Sequence, residues 1–105
     1  MNFQENVLEI VSEIPLGKVT TYGSIAQACG LKSSARMVGW ILNKAIGQPL
    51  PFHRVVNRNG LLTGKQYFET VNLMKELLVS EGIEFIGDAI NMKKHLWVPK
   101  FREVK

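Results

Sequence analysis

One cysteine, Cys29, is too few for an intramolecular disulfide, and with only two histidines in the chain no metal-ligand spacing forms around it. A disulfide-stapled scaffold and a zinc-built domain are thereby excluded, no cofactor or metal is expected, and a reducing, cytoplasmic compartment is the natural expectation. No apolar run approaches the about 18 residues that a membrane span requires. The first six residues carry Asn2, Gln4, Glu5 and Asn6, where a secretory signal would have a basic and then an apolar stretch, so the chain is expected to be neither secreted nor membrane-spanning. Acidic residues are also scarce. Nine Asp and Glu face thirteen Lys and Arg, a formal charge of +4 that suits a polyanionic partner without requiring one. Internal repeats, low-complexity tracts and linkers are absent. With 105 residues, 46% of them hydrophobic, the chain fits one domain, 1–105, around a single core.

What the chain does have is periodicity. Asn2 is placed to cap a helix in which Phe3, Val7, Leu8, Val11 and Ile14 recur near the helical period, with Glu5, Glu9 and Glu13 opposite and Pro15 and Gly17 as its end. Lys18 to Tyr22 reads as a short extended link. Thr21 then caps a brief helix through Ser24, Ile25, Ala26 and Ala28 that stops at Gly30. Ser33 or Ser34 caps the next, whose core face is Val38, Ile41, Leu42 and Ala45 and which Gly47, Pro49 and Pro51 close off. The stretch Asn57-Arg58-Asn59-Gly60, flanked by Val55, Val56, Leu61 and Leu62, carries the Asn-Gly signal of a tight hairpin. A longer helix is predicted from Lys65 to Ser80, with Phe68, Val71, Leu73, Met74, Leu77 and Leu78 as its apolar contacts and Gly82 as its stop. Ile83, Phe85, Ile90 and Met92, arranged around Gly87-Asp88, predict a small terminal hairpin, and Pro99 to Lys105 a frayed end.

Two short helices about a Gly30 turn make a helix-turn-helix. The second helix would lie on the surface, with Ser33, Ser34 and Ala35 small enough for close approach to a nucleic-acid backbone and Arg36 projecting from the first turn. An ordinary helical hairpin with a solvated arginine fits the same pattern equally well.

Several motifs in order separate these readings. The run from Ile14 through Pro15, Gly17, Thr20, Thr21, Tyr22 and Gly23 to Ala26 resembles the entry to the DNA-binding domain of the O6-alkylguanine-DNA alkyltransferases, and Ala35-Arg36-Met37-Val38-Gly39 resembles its recognition helix. Pro51-Phe52-His53-Arg54-Val55 resembles the Pro-Cys-His-Arg-Val active-site strand, with Phe52 where the reactive cysteine would stand, and Glu81-Gly82-Ile83 resembles the acidic end of the following helix. The likeness runs from about Phe3 to Ile86. It is most similar to the alkyltransferase-like subfamily, which keeps the DNA-binding surface but lacks the acceptor cysteine; many members have tryptophan where Phe52 stands. The resemblance implies a mainly α, winged helix-turn-helix-like DNA-binding domain with short β-hairpins, as in the C-terminal domain of these alkyltransferases.

It also implies roles. Arg36 would be the finger that fills the space left by a flipped base, its planar guanidinium stacking on neighbouring bases. Tyr22 would press on the target phosphate and, with Leu42, Phe52 and Val55, line an apolar pocket for the O6-alkyl group. Without the motif, Tyr22 and Phe52 would read as packing residues. His53 and Glu81 match the base and its orienting carboxylate, yet Phe52 offers no atom to deprotonate, so the pair is expected to be vestigial and the protein not an enzyme. Thr21, Ser33, Ser34, Ala35, Arg54 and Arg58 are expected DNA contacts, although Arg54 and Arg58, with Asn57, Lys65 and Tyr67, read equally well as solvated loop residues. Cys29, at the turn between helices, is expected to be a small buried hydrophobe. Trp40 occupies a position often small or polar in the family, and the sequence assigns it no role. The implied function is a monomeric, non-enzymatic sensor of O6-alkylguanine in double-stranded DNA, nucleoid-associated or nuclear, that directs the site to nucleotide excision repair. The alternatives are a winged-helix regulator reading undamaged sequence and an atypical alkyltransferase.

Overall fold

The computed structural model describes residues 2–30, 35–63 and 72–102. Helix α1, Phe3–Glu13, starts on a capping box: the Asn2 side chain accepts from the Glu5 backbone N–H at 2.8 Å, and the Glu5 carboxylate accepts from the Asn2 N–H at 3.2 Å. Its buried stripe is Val7, Ile10 and Val11; Ile10, not part of the predicted face, is fully covered. Strand β1 is only Thr20–Thr21, and Thr21 at once caps helix α2, Tyr22–Ala28, its Oγ1 accepting from the Ser24 N–H at 3.0 Å. Gly30, at φ +80°, ends that helix in the left-handed conformation that favours glycine. Helix α3, Ala35–Ala45, buries Val38, Ile41, Leu42 and Ala45, the predicted face. Its expected caps, Ser33 and Ser34, lie outside the described residues.

Strand β2, Val55–Val56, pairs parallel with β1, Thr20 opposite Val55 and Thr21 opposite Val56. Successive strand residues point to opposite faces, and this short strand divides the core accordingly. Val55 joins Val7, Ile10, Ile25, Val38 and Leu42 on one side; Val56 joins Val19, Met74, Leu78, Ile83 and Ile90 on the other. Each fully covered valine is worth about 1.5–3 kcal/mol of burial, so β2 stabilises both halves at once. Met74 and Leu78 come from α4, Leu73–Ser80, which starts after its N-cap Asn72 rather than running unbroken from Lys65 as predicted; Phe68 and Val71 lie outside the described residues. The hairpin of β3, Phe85–Ile86, and β4, Ala89–Ile90, turns through Gly87 as predicted.

The structure corrects four further expectations. The Pro51-to-Val56 strand is extended only at Val55–Val56; Phe52–Arg54 is a 3-10 turn closed by the Arg54 N–H on the Pro51 carbonyl at 3.0 Å. The Asn57–Gly60 segment makes a tight turn, closed by the Gly60 N–H on the Asn57 carbonyl at 2.9 Å and the Asn57 N–H on the Leu61 carbonyl at 3.2 Å, but Leu61 and Leu62 do not go on to form a strand paired with β2, whose strand partner is β1. Instead the Asn57 side chain accepts from the Asn59 and Leu61 N–H groups, each at 2.9 Å, and the loop is tied to β4 by the Ile90 N–H on the Gly60 carbonyl at 3.0 Å. The hairpin signal extended to Met92, but this residue starts a further helical turn, α5, Met92–His95. The frayed tail is docked as far as Arg102, whose N–H bonds the Ala28 carbonyl at 2.6 Å and whose guanidinium reaches Glu9 and Glu13 of α1; Phe101 lies over Gly30. Residues 103–105 lie outside the described part. Among the described residues no helix is long and apolar enough to cross a membrane.

Gly60 holds φ +79°, and a Cβ there would stand 2.9 Å from the Ile90 carbonyl oxygen. Gly60→Ala is therefore expected to lower stability by about 2 kcal/mol or more, read as a reduced urea midpoint with an unchanged m-value.

Candidate nucleic-acid interface

The polar centre of the fold is Glu81, the residue that ends α4. Arg54 grips its carboxylate with two parallel bonds, Nε to Oε1 at 2.8 Å and Nη2 to Oε2 at 2.9 Å, while Nη1 donates to the Ile14 carbonyl at the end of α1, 2.8 Å away. His53 bonds Oε2 at 2.7 Å; since a carboxylate only accepts, this assigns the proton to His53 Nε2. All three side chains are 13–14% exposed. The Arg54 hydrogen bond holds the Glu81 carboxyl below the usual carboxylate range, opposed by burial and helped by His53. The adjacent turn residues His53 and Arg54 thus both reach Glu81, as the 3-10 turn allows. Arg54 was expected at DNA phosphate; its guanidinium is instead committed inward, to Glu81 and Ile14.

Phe52 opens the same 3-10 turn. It and Tyr22 are half-buried and pack on the core cluster that contains Leu42 and Val55, so the four residues expected to form a pocket share one region. Their exposure differs. Val55 is 1% and Leu42 5% exposed, so both are core residues, and of the four only Tyr22 and Phe52 offer surface. A Cβ on Gly39 would meet the Tyr22 ring at 3.8 Å, so the ring lies against α3. Thr21, expected at DNA, is buried; its hydroxyl accepts the Ser24 N–H and lies 2.9 Å from Ser24 Oγ as the α2 cap.

The outward face of α3 begins with half-buried Ala35 and exposed Arg36 and continues through exposed Met37 and Trp40. Lys44 Nζ sits 3.8 Å from the Trp40 ring centroid. Arg58 is exposed in the turn after β2, whereas Lys65 and Tyr67 lie outside the described residues. Cys29 is buried, and burial pushes its thiol pKa up, the opposite of an activated nucleophile. No cluster of metal-ligating side chains occurs among the described residues.

Residues 2–83 match the model of the 6-O-methylguanine DNA methyltransferase DNA-binding domain. The chain belongs to this family. It is 38% identical over 100 residues to a DNA base-flipping protein of Escherichia coli K12, covering 91% of this chain and 74% of that one. It is 34% identical to Alkyltransferase-like protein 1 of Schizosaccharomyces pombe, covering 92% and 95%. The fold is similar to the crystal structure of S. pombe Atl1 in complex with damaged DNA containing O6-carboxymethylguanine, with a TM-score of 0.79 at 34% identity over 92% of this chain and 95% of that one. The mainly helical architecture is that of the alkyltransferase DNA-binding domain.

Two ties escaped the sequence reading. His95, 5% exposed, accepts the Glu84 N–H on Nε2 at 2.9 Å and so donates from Nδ1 to the Gly17 carbonyl at 3.0 Å. Arg102 is the other. Neither has a local signal, because each partner is distant in sequence.

Glu81 ionises more readily in the fold than in the unfolded chain, so the unfolded chain takes up the proton first as pH falls. Its contribution is complete above the ordinary glutamate pKa of about 4.3 and is lost as pH drops through the lowered folded value. Glu81→Gln is expected to cost about 2–4 kcal/mol at pH 7, since it leaves Arg54 part-buried without its counter-charge, and to flatten the acid limb of stability against pH. Urea titrations from pH 3 to 7 read both effects.

Proposed function

We propose that this protein is a non-enzymatic sensor that binds O6-alkylguanine in duplex DNA, turns the modified base out of the stack and holds it against Tyr22 and Phe52. The observation that carries this reading is the intact His53–Glu81 pair, 2.7 Å apart, directly beside a residue that lacks any nucleophilic atom. A base with nothing to deprotonate cannot drive alkyl transfer, and the sole thiol is buried with a raised pKa. What remains useful at Phe52 is shape: an aromatic wall suits an alkylated O6 edge, which has exchanged hydrogen-bonding capacity for hydrocarbon.

Flipping costs roughly a few kcal/mol of stacking and pairing. We assign the offsetting contact to Arg36, exposed at the start of α3, whose planar guanidinium can stack in the gap. Net charge of +4 supports approach to the phosphate backbone. One compact domain engaging one base needs no second copy, so a monomer acts. With no acceptor atom the lesion stays in the DNA, and its removal falls to nucleotide excision repair, as the resemblance to alkyltransferase-like proteins suggests. The names of the relatives, a base-flipping protein and an alkyltransferase-like protein, agree with this reading.

Two duplexes of one sequence, with and without a single O6-methylguanine, test it at one fixed salt concentration. Tighter binding to the damaged duplex is expected, and Arg36→Ala should weaken that binding by about 1–3 kcal/mol. Equal affinity for the two duplexes would instead indicate a reader of undamaged sequence.

A further inference from the structure

Helix α3 is buried along Val38, Ile41, Leu42 and Ala45, which leaves a stripe of Arg36, Met37, Trp40 and Lys44 on the opposite side. Two features of that stripe are unusual for a solvated helix face. It carries large apolar surface, with Met37 49% and Trp40 57% exposed. It also carries charge of one sign: Arg36 and Lys44 are basic, and no acidic residue occurs anywhere in Ala35–Ala45. Arg36, Trp40 and Lys44 succeed one another at four-residue intervals, so they line one side of the helix over two turns. Lys44 packs its ammonium over the Trp40 indole, and much of the Trp40 surface still faces solvent.

We propose that Met37, Trp40 and Lys44 form a second DNA contact, a ledge that lies along the sugar–phosphate wall of the groove beside the base displaced by Arg36. The indole and thioether cover deoxyribose carbons, and Lys44 neutralises a phosphate. Basic charge selects a polyanion over an apolar protein partner, and continuity with Arg36 along one helix selects the same duplex. The ledge reads neither base nor lesion, because sugar and phosphate carry no sequence information; its contribution is equal on damaged and intact DNA. It therefore raises affinity, and Arg36 with the pocket supplies discrimination. This inference rests on α3 being the DNA-facing helix, the reading given above.

The test uses the full chain and the same two duplexes. Trp40→Ala should weaken binding to both by about tenfold while their affinity ratio stays unchanged within about twofold. Lys44→Gln should reduce the slope of log affinity against log salt by about one. In a Trp97→Phe background, the emission of Trp40 should change on titration with the undamaged duplex. Unaltered affinity of Trp40→Ala for both duplexes, or a loss confined to the damaged one, overturns the ledge. A wild-type protein that binds both duplexes equally rejects the lesion reading but leaves the ledge standing, provided Trp40→Ala lowers both affinities; the two ideas fail separately.

Discussion

The Arg54–Glu81 pair is the constraint on which the rest depends. It joins three pieces of chain that lie far apart in sequence: the end of α1 through the Ile14 carbonyl, the 3-10 turn through Arg54 itself, and the end of α4 through Glu81. Apart from that clamp, the turn bearing Phe52 is held by local backbone hydrogen bonds, by Phe52 packing on the core and by β2, a strand of two residues. A part-buried ion pair is weak evidence of net stability, because desolvation opposes it. Its value here is positional. The bidentate grip fixes where the turn leaves the core, and with it the orientation of Phe52 and His53.

That geometry gives the proposed loss of catalysis a physical meaning. The alkyltransferase arrangement needs a His near its nucleophile and a carboxylate to orient the His; in this chain the carboxylate also anchors an arginine that carries the fold. Without the nucleophile Glu81 still anchors Arg54, and His53 remains as one of its hydrogen-bond partners. A sensor built this way keeps the scaffold of an enzyme because the polar cluster serves two purposes, one of which does not involve chemistry.

Local features were legible in the sequence where their cause is local. The Asn2 capping box, the Thr21 cap, the end of α2 at Gly30 and the buried face of α3 follow from spacing and side-chain chemistry within a few residues. The Asn57–Gly60 signal was real but its meaning was tertiary: Gly60 is required by the close passage of β4 rather than by a hairpin. The inward turn of Arg54 was equally invisible, since phosphate and carboxylate ask the same of a guanidinium and only the fold decides which is present. Docking of the tail through Arg102 depends on two acids more than eighty residues away. Trp40 carried no interpretable pattern until its exposure and its contact with Lys44 were known.

Recognition without repair means that the methyl group stays on the guanine. Mass spectrometry of both partners after prolonged incubation of excess protein with a duplex containing one O6-methylguanine tests it most directly, once binding has been established on the same sample. O6-methylguanine is expected to be recovered intact, with no residue of the protein, Cys29 included, gaining a methyl group. Loss of the lesion, or a methylated residue in the protein, would contradict it.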